Sequence, residues 1–336
     1  MPAPIPDGLA LELFDGSRRS PVKSSLAIGT GTRRECHTLG VSEPRLVAVM
    51  GQTASGKTDL AEFIADAWGA VLVNADAFQM YRGMDIGTAK PADPSRYQLM
   101  NTLDPNEEYG VGEFAVQAQQ ILSSAYAERR DVVIVGGTGL YIRALMDEWQ
   151  DMQAAPDPAL RTHLDAQSLE DLVGQLPTEK REGIDLQNKA RVRRALERHL
   201  SPTAAIRISL PPFRKFKIAL DWPVDEINSR IDRRVEIMWE TGWPDEVLHL
   251  MKKGFDERCF GFRAIGYSQI AQFLRGGINE GVCRELIQAQ TRAYAKRQRT
   301  WLRSEKGLVL GSPSPSGEWT EARIDAAFDG VFKLKI

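Results

Sequence analysis

Residues 51–58 read Gly51-Gln52-Thr53-Ala54-Ser55-Gly56-Lys57-Thr58 and match the phosphate-loop pattern Gly-x-x-x-x-Gly-Lys-Ser/Thr at every fixed position. An apolar run over 46–50 precedes the loop and a helical pattern over 59–68 follows it, which is the strand–loop–helix context that the pattern requires. In such a loop the backbone N–H groups and the helix N-terminus hold phosphate oxygens, the lysine adds positive charge, and the last hydroxyl can ligate Mg²⁺. We therefore predict that the loop binds a di- or triphosphate, and that Mg²⁺ held by Thr58 is a cofactor.

The segments after the loop predict a parallel sheet. Residues 71–74, 131–135 and 216–220 read as buried strands, and residues 111–128, 225–253 and 282–305 read as helices. Continuous apolar strands that alternate with helices are typical of a parallel sheet covered on both faces. We therefore predict an α/β fold: a P-loop NTPase-like parallel sheet with helices on both faces and a small helical insertion domain.

Composition divides the chain into five parts. Residues 1–44 are rich in Pro, Gly and Ser and are predicted to be a poorly ordered N-terminal extension. Residues 45–150 and 213–310 are predicted to form the two parts of the core, the second carrying the basic helices. Residues 151–212 are polar and helical in pattern, which predicts an insertion, and residues 311–336 read as a C-terminal tail.

The overall composition is that of an ordinary soluble globular protein. Of 336 residues 43% are hydrophobic, and the formal net charge is −2, so any basic surface for nucleic acid must be local. Three widely spaced cysteines form neither a disulfide framework nor a zinc pattern, which suits a reducing compartment. No apolar run is long enough to cross a membrane, and a secretory signal pattern is lacking. We expect a cytoplasmic monomer.

Two further segments follow predicted strands, so we expect them at the carboxyl edge of the sheet, where ligands bind. Asp76 follows the strand over 71–74; a carboxylate there can accept a proton, hold a metal-bound water, or cap a helix. Gly136-Gly137-Thr138-Gly139 follows the strand over 131–135, where many nucleotide-hydrolysing proteins carry an acidic Mg²⁺ ligand. The glycines predict a close approach of backbone or ligand, or merely a tight turn.

Two helical stripes of basic residues stand out against the near-neutral total. They recur at helical spacing with few acids between them: Arg191, Arg194 and Arg198 in the first, and Arg292, Lys296, Arg299 and Arg303 in the second. Solvated helix faces commonly look like this, but stripes without neutralising acids suit a phosphodiester backbone. Tyr294 and Trp301, on another face of the second helix, are expected in the core. Arg263 lies beside a Gly turn and is suited to a pyrophosphate leaving group, or has no role.

In combination these segments resemble the tRNA dimethylallyltransferase (isopentenyltransferase) family, whose members prenylate an adenosine next to the anticodon. The resemblance runs from about residue 46 to residue 303. Its motifs, in the family's order, are 51–58, Asn74-Ala75-Asp76-x-x-Gln79-x-Tyr81, 82–91, 136–141, 194–197, Ala264-Ile265-Gly266-Tyr267 and Tyr294-Ala295-Lys296-Arg297-Gln298-x-x-Trp301. The family usually has Pro at position 52 and Ser at position 77. Gln52 is expected to alter loop stiffness only, and Ala77 to remove one hydrogen bond to the target base.

The resemblance implies transfer of a dimethylallyl group from dimethylallyl diphosphate to the exocyclic amine of the adenosine adjacent 3′ to the anticodon, with release of diphosphate. Residues 51–58 would bind the diphosphate, Thr53 and Arg263 would stabilise its departure, and Asp76 would be the general base. The target base would be flipped out of the anticodon loop into a channel. The residues expected to contact tRNA are Asp76, Ala77, Phe78, Gln79, Thr138, Ala190, Arg191, Arg193, Arg194, Arg263, Gly266, Tyr267, Lys296, Arg297, Gln298, Arg299 and Arg303.

Two other classes of protein share the phosphate loop. A small-molecule or nucleotide kinase would turn over ATP and close arginine-bearing lid segments over the γ-phosphate. An RNA-binding switch ATPase would carry an acidic residue after Val135, where this chain has Gly136. The segments 76–81 and 136–141 favour the prenyltransferase over both.

Overall fold

The computed structural model describes residues 43–150, 152–153, 157–202, 205–305 and 308–311. Almost all of the predicted N-terminal extension (1–42) and of the predicted tail (312–336) therefore lies outside the described residues. All the described residues belong to one compact unit, 43–336. No described helix is both long and apolar enough to span a membrane.

The core is a six-stranded parallel sheet in the order β3-β2-β4-β1-β7-β8. The strands along the chain are β1 (Arg45–Gly51), β2 (Val71–Asn74), β3 (Tyr97–Gln98), β4 (Val132–Val135), β5 (Met152–Gln153), β6 (Ala205–Ile206), β7 (Arg214–Leu220) and β8 (Leu308–Gly311). β1 is central: Val47 pairs with Val133 of β4 on one side and Phe216 of β7 on the other. The predicted parallel sheet is confirmed, whereas the short edge strands β3 and β8 were not foreseen.

Helices cover both faces of this sheet. The helices are α1 (Lys57–Trp68), α2 (Val111–Ala127), α3 (Gly139–Met146), α4 (Pro158–Asp165), α5 (Leu169–Gln175), α6 (Lys189–Leu200), α7 (Val224–Glu240), α8 (Trp243–Lys252), α9 (Tyr267–Leu274) and α10 (Glu280–Leu302). Alternate residues of β1 point to opposite sides: Ala48 packs in a cluster with α2 and α3, and Val49 in a cluster with α1. This two-sided burial explains why the strands read as continuous apolar runs.

The helix predicted over 225–253 is two helices, and this correction has a local cause. α7 ends at Glu240 and α8 begins at Trp243, because Gly242 between them has a left-handed φ of 102°. Such a backbone interrupts the helical hydrogen-bond pattern and favours glycine. The break turns α8 so that Trp243 and Leu250 enter a third apolar cluster with α9 and α10.

The segment between the two parts of the sheet contains the short hairpin strands β5 and β6 and the helices α4, α5 and α6. A separate apolar cluster, which includes Leu164, Leu172 and Leu196, holds the three helices together. The side chain of Glu197 is fully buried there, with salt bridges to three arginines: Arg161, Arg193 and Arg194.

Candidate active site

The phosphate loop joins β1 to α1 at the carboxyl edge of the sheet, as predicted. Gly51 has a φ of 152°, and a Cβ there would lie 2.7 Å from Ser55 Oγ and 3.2 Å from the Leu220 carbonyl. Gly56, with a φ of 88°, precedes the first residue of α1. Only glycine fits both conditions, so the sequence pattern fixes the loop shape through steric contacts as well as backbone freedom.

The Lys57 ammonium donates a hydrogen bond to the Gln52 carbonyl at 2.7 Å, closing the loop on itself. Burial lowers the pKa of Lys57 to about 8; nearby Asp76 opposes this decrease and Arg234 reinforces it. A half-buried cation held by a neutral carbonyl is incompletely compensated, so a bound anion would stabilise it. Gln52, where the family has Pro, is almost fully buried, and its side-chain oxygen has no partner among the described residues.

Asp76 lies opposite the phosphate loop, just beyond β2. Its Oδ1 accepts a hydrogen bond from the Phe78 backbone N–H at 3.1 Å, so the carboxylate is held by a local turn. The predicted cap of a helix is not observed, because no helix begins here. Close to it, Gly136 packs against Ala75: a Cβ on Gly136 would lie 2.2 Å from the Ala75 carbonyl carbon. The close backbone approach predicted from the glycines is therefore present.

Sequence reasoning missed the arginines of α7. Arg230, Arg233 and Arg234 line the same cavity as the phosphate loop. Arg230 donates to the Ala54 carbonyl at 2.7 Å, and Arg234 approaches the Thr53 hydroxyl at 3.5 Å. Their spacing places them on one face of a helix, which is the signal that could have found them, but only the fold shows which way that face points.

Arg234 is half-buried and forms no salt bridge within the described residues. Burial lowers its pKa, an effect that the charge of Asp76 only partly offsets. Arg234 and Lys57 therefore both gain from an anion placed between the loop and α7.

Two adjoining cavities meet beside the phosphate loop, Asp76 and α7. The larger, about 1060 Å³, runs along the phosphate loop, Asp76 and the α7 arginines. The smaller, about 270 Å³, shares Thr53, Asp76 and Arg234 with it. Its walls are largely apolar: Phe78, Ile231, Val235, Met238, Trp243, Ala264 and Ile265. Polar and charged groups thus surround the junction, and an apolar chamber extends from it.

Arg263 lines the smaller cavity and lies over the Phe260 ring, with 4.3 Å from the guanidinium carbon to the ring centroid. It is exposed and does not line the larger cavity among the described residues. The groups nearest the phosphate loop are therefore the α7 arginines rather than Arg263.

Several residues expected to contact tRNA are exposed on the surface of the molecule: Ala190, Arg191, Lys296, Arg297 and Arg303. Others have their polar atoms engaged inside the protein. The Gln79 amide donates to the Thr88 and Ala89 carbonyls, and the Thr138 hydroxyl accepts from the Ala77 N–H at 3.0 Å. Tyr267 is fully buried and its hydroxyl donates to Glu246, so a contact of this side chain with tRNA does not fit the structure.

The expectation that the basic stripes lack neutralising acids is wrong. In the first stripe Arg191 pairs with Asp185 and Arg194 with Glu197; in the second Arg292 pairs with Asp232 and Arg299 with Asp221. Glu197 lies in α6 itself, three residues after Arg194. The other three acids come from other segments of the chain, which spacing within one helix cannot reveal. Lys296 and Arg303 remain as exposed cations of the second stripe.

Tyr294 and Trp301, the two aromatic residues of α10 that were expected in the core, lie in different surroundings. Tyr294 lines both cavities and its hydroxyl donates to the Gly137 carbonyl at 3.2 Å, so placing it in the core was wrong. Trp301 is partly buried and packs against the main apolar cluster, as expected.

Known proteins share this architecture and much of the sequence. A family model described as IPP transferase matches residues 79–305, more than half of the chain. A protein named tRNA dimethylallyltransferase 2 from Syntrophus aciditrophicus is 35% identical over 299 residues, covering 84% of this chain and 96% of its own length. A tRNA dimethylallyltransferase from Leuconostoc citreum is 35% identical over 273 residues, covering 79% and 92%.

A solved structure agrees with these matches. The full-length tRNA isopentenylpyrophosphate transferase from Bacillus halodurans is 29% identical, with a TM-score of 0.64 over 88% of this chain and 99% of that chain. The kinase interpretation is not favoured, since relatives matched over most of their length carry the other name. The sequence matches, the shared fold and the family model together establish that this chain belongs to the IPP transferase family.

Proposed function

We propose that this protein transfers a dimethylallyl group from dimethylallyl diphosphate to the exocyclic amine of the adenosine adjacent 3′ to the anticodon of tRNA, releasing diphosphate. It would act as a cytoplasmic monomer. The observation that carries the proposal is the junction of the two cavities, where incompletely compensated cations, a fixed carboxylate and an apolar chamber meet.

The cations suit an allylic diphosphate donor. Such a donor ionises readily once the charge of its leaving group is stabilised, so preorganised positive groups supply most of the catalysis required. Lys57 and Arg234 are half-buried cations with lowered pKa values, so both gain from a bound anion, and the backbone N–H groups of the loop can hold further oxygens. Thr53, which lines both cavities and whose hydroxyl Arg234 approaches at 3.5 Å, would contact the leaving oxygen.

Mg²⁺ fits the site as a partner of the donor rather than as a resident of an acidic cage. No cluster of three or more potential metal-ligating residues is found within the described residues. Mg²⁺ is commonly bound by one or two protein oxygens together with substrate phosphates. Thr58, which lines the larger cavity at the start of α1, would hold it, and the ion would neutralise charge on the departing diphosphate.

The acceptor side rests on Asp76. A carboxylate held by a backbone N–H keeps its orientation and can take a proton from the amine as the new C–N bond forms. The apolar walls of the smaller cavity suit the dimethylallyl group and keep water from the carbocation-like centre, which water would otherwise capture. An adenine reaches such a recessed site only by leaving its stack.

The direct test is incubation with an anticodon stem-loop RNA and dimethylallyl diphosphate labelled in the allyl group. We expect label in the RNA and equimolar diphosphate. A parallel reaction with γ-labelled ATP distinguishes the kinase alternative; transfer of its phosphoryl group with no allyl transfer would overturn the proposal.

A further inference from the structure

We propose that Gln298 is a positioning residue for the transfer reaction. It would hold the phosphate loop, which binds the diphosphate, at a fixed distance from the segment beside Asp76, the proposed general base. The inference rests on the proposed function. It gives Gln298 a different task from the tRNA contact that its motif suggested.

The side chain of Gln298 bridges two loops that belong to different strands. Its Oε1 accepts a hydrogen bond from the Thr53 backbone N–H at 2.7 Å, and its Nε2 donates to the Gly137 carbonyl at 3.0 Å. The residue is 6% exposed, so these bonds are shielded from water. A buried amide whose oxygen and nitrogen are both engaged has one orientation, because reversing it would place donor against donor.

The two hydrogen-bond partners of Gln298 belong to segments with different roles in the reaction: one binds the leaving group and the other lies beside the general base. Thr53 belongs to the phosphate loop, and its hydroxyl is approached by Arg234. Gly137 lies beside Asp76, the proposed general base: a Cβ added to Gly137 would lie 2.7 Å from Gln298 Nε2 and 3.1 Å from Asp76 Oδ2. The single amide therefore connects the leaving-group loop to the wall against which Asp76 rests.

The bridge is reinforced from the same helix. The Tyr294 hydroxyl donates to the same Gly137 carbonyl at 3.2 Å, so α10 supplies two donors to one acceptor. Burial raises the pKa of Tyr294, which keeps the hydroxyl protonated as a donor. On the same helix Lys296 is exposed, whereas Arg297 lies over the Tyr294 ring and lines the smaller cavity. α10 thus supplies both the buried bridge and an arginine at the smaller cavity.

The separation of the two halves matters because prenyl transfer needs the leaving oxygen, the allylic carbon and the amine to be aligned. A displacement of about 1 Å can cost about 100-fold in rate. Loss of the bridge would let the distance between the phosphate loop and Asp76 vary, without removing any group that touches donor or acceptor. We therefore expect the defect in kcat, with the KM for stem-loop RNA nearly unchanged.

The test uses Gln298→Met, which removes both hydrogen bonds at similar volume, and Gln298→Asn, which keeps the amide but is one methylene too short to span both partners. Gln290→Met and Gln290→Asn are matched controls, because Gln290 is an exposed glutamine of the same helix whose side chain accepts a hydrogen bond from Gln269 on the surface. We expect kcat to fall about 30- to 100-fold in both Gln298 variants, with the KM for RNA within about twofold, and wild-type rates in the controls.

A second variant addresses the same bridge from its other end. Gly137→Ala places a methyl group 2.7 Å from Gln298 Nε2 and 3.1 Å from Asp76 Oδ2 while leaving the sequence of α10 unchanged, and we expect at least the same loss in kcat. Wild-type kcat in folded Gln298→Met, or a defect confined to the KM for RNA, would overturn the proposal; so would wild-type kcat in Gly137→Ala should Gln298→Met fail to fold. Absence of transfer by the wild type and the Gln290 controls would instead refute the proposed function itself.

Discussion

Replacing Arg234 with Met is expected to stabilise the ligand-free protein while impairing catalysis, and this opposition of signs makes the change informative. The guanidinium is half-buried without a salt bridge among the described residues, and burial lowers its pKa. A lowered pKa in a cation means that the folded state disfavours its charged form, so removing the charge relieves the folded state. Lys57 still compensates Asp76 after the change.

The two effects differ in size. Replacing an incompletely compensated, half-buried charge by an apolar side chain of similar volume gains about 1 kcal/mol. In a protein of this length, that raises the Tm by about 2 °C. With donor bound, the same guanidinium faces a diphosphate, and its loss costs about 2–5 kcal/mol, which is about 30-fold to a few thousandfold in kcat/KM.

The assay combines thermal unfolding, with and without inorganic pyrophosphate, and steady-state allyl transfer. Pyrophosphate should raise the Tm of the wild type by mass action and raise that of the variant less. Arg258→Gln is the control, because Arg258 is exposed and pairs with Asp256. A ligand-free Tm several degrees below the wild type, together with unchanged kcat/KM, would refute the assignment of Arg234 to the anion site.

Three further outcomes are expected. Asp76→Asn should lower kcat by about 10²- to 10⁴-fold while stem-loop binding, measured by fluorescence anisotropy, is retained, since Asn can still accept the Phe78 N–H bond; wild-type turnover would remove Asp76 from the mechanism. Pyrophosphate binding at pH 9 should take up nearly one proton, because an anion raises the Lys57 pKa from about 8, and binding at pH 6.5 should take up none at this group; calorimetry in buffers of different ionisation enthalpy measures this, and equal uptake at both pH values would contradict it. Glu197→Gln should destabilise the protein by about 1.5–3 kcal/mol in urea unfolding, because the buried carboxylate accepts from Arg161, Arg193 and Arg194 while Glu108 and Asp165 still pair with two of them; a change below about 1 kcal/mol would show that these other acids and solvent compensate the arginines.

The parts of the fold that depend on neighbouring residues were predictable from the sequence. The loop at 51–58 and the strand over 71–74 follow from local patterns, and the shared carboxyl edge follows from parallel topology. The break at Gly242 was missed because a helical apolar pattern continues on both sides of it.

The parts of the site that depend on distant pairs were not predictable. Arg292 finds its acid at Asp232, on another helix, and Gln298 reaches Thr53 across 245 positions of the chain. The arginines of α7 carry a visible helical spacing, but a spacing does not reveal which cavity a helix face meets. Such pairings arise from tertiary packing, so a single sequence carries no local trace of them.

The most direct test of the central claim compares two stem-loop RNAs that differ only at the adenosine adjacent 3′ to the anticodon. One carries adenosine and the other purine riboside, which lacks the exocyclic amine. With dimethylallyl diphosphate and Mg²⁺, we expect allyl label in the RNA and equimolar diphosphate release with adenosine, and neither with purine riboside. Equal labelling of both RNAs, or no labelling of either together with consumption of ATP, would contradict the account.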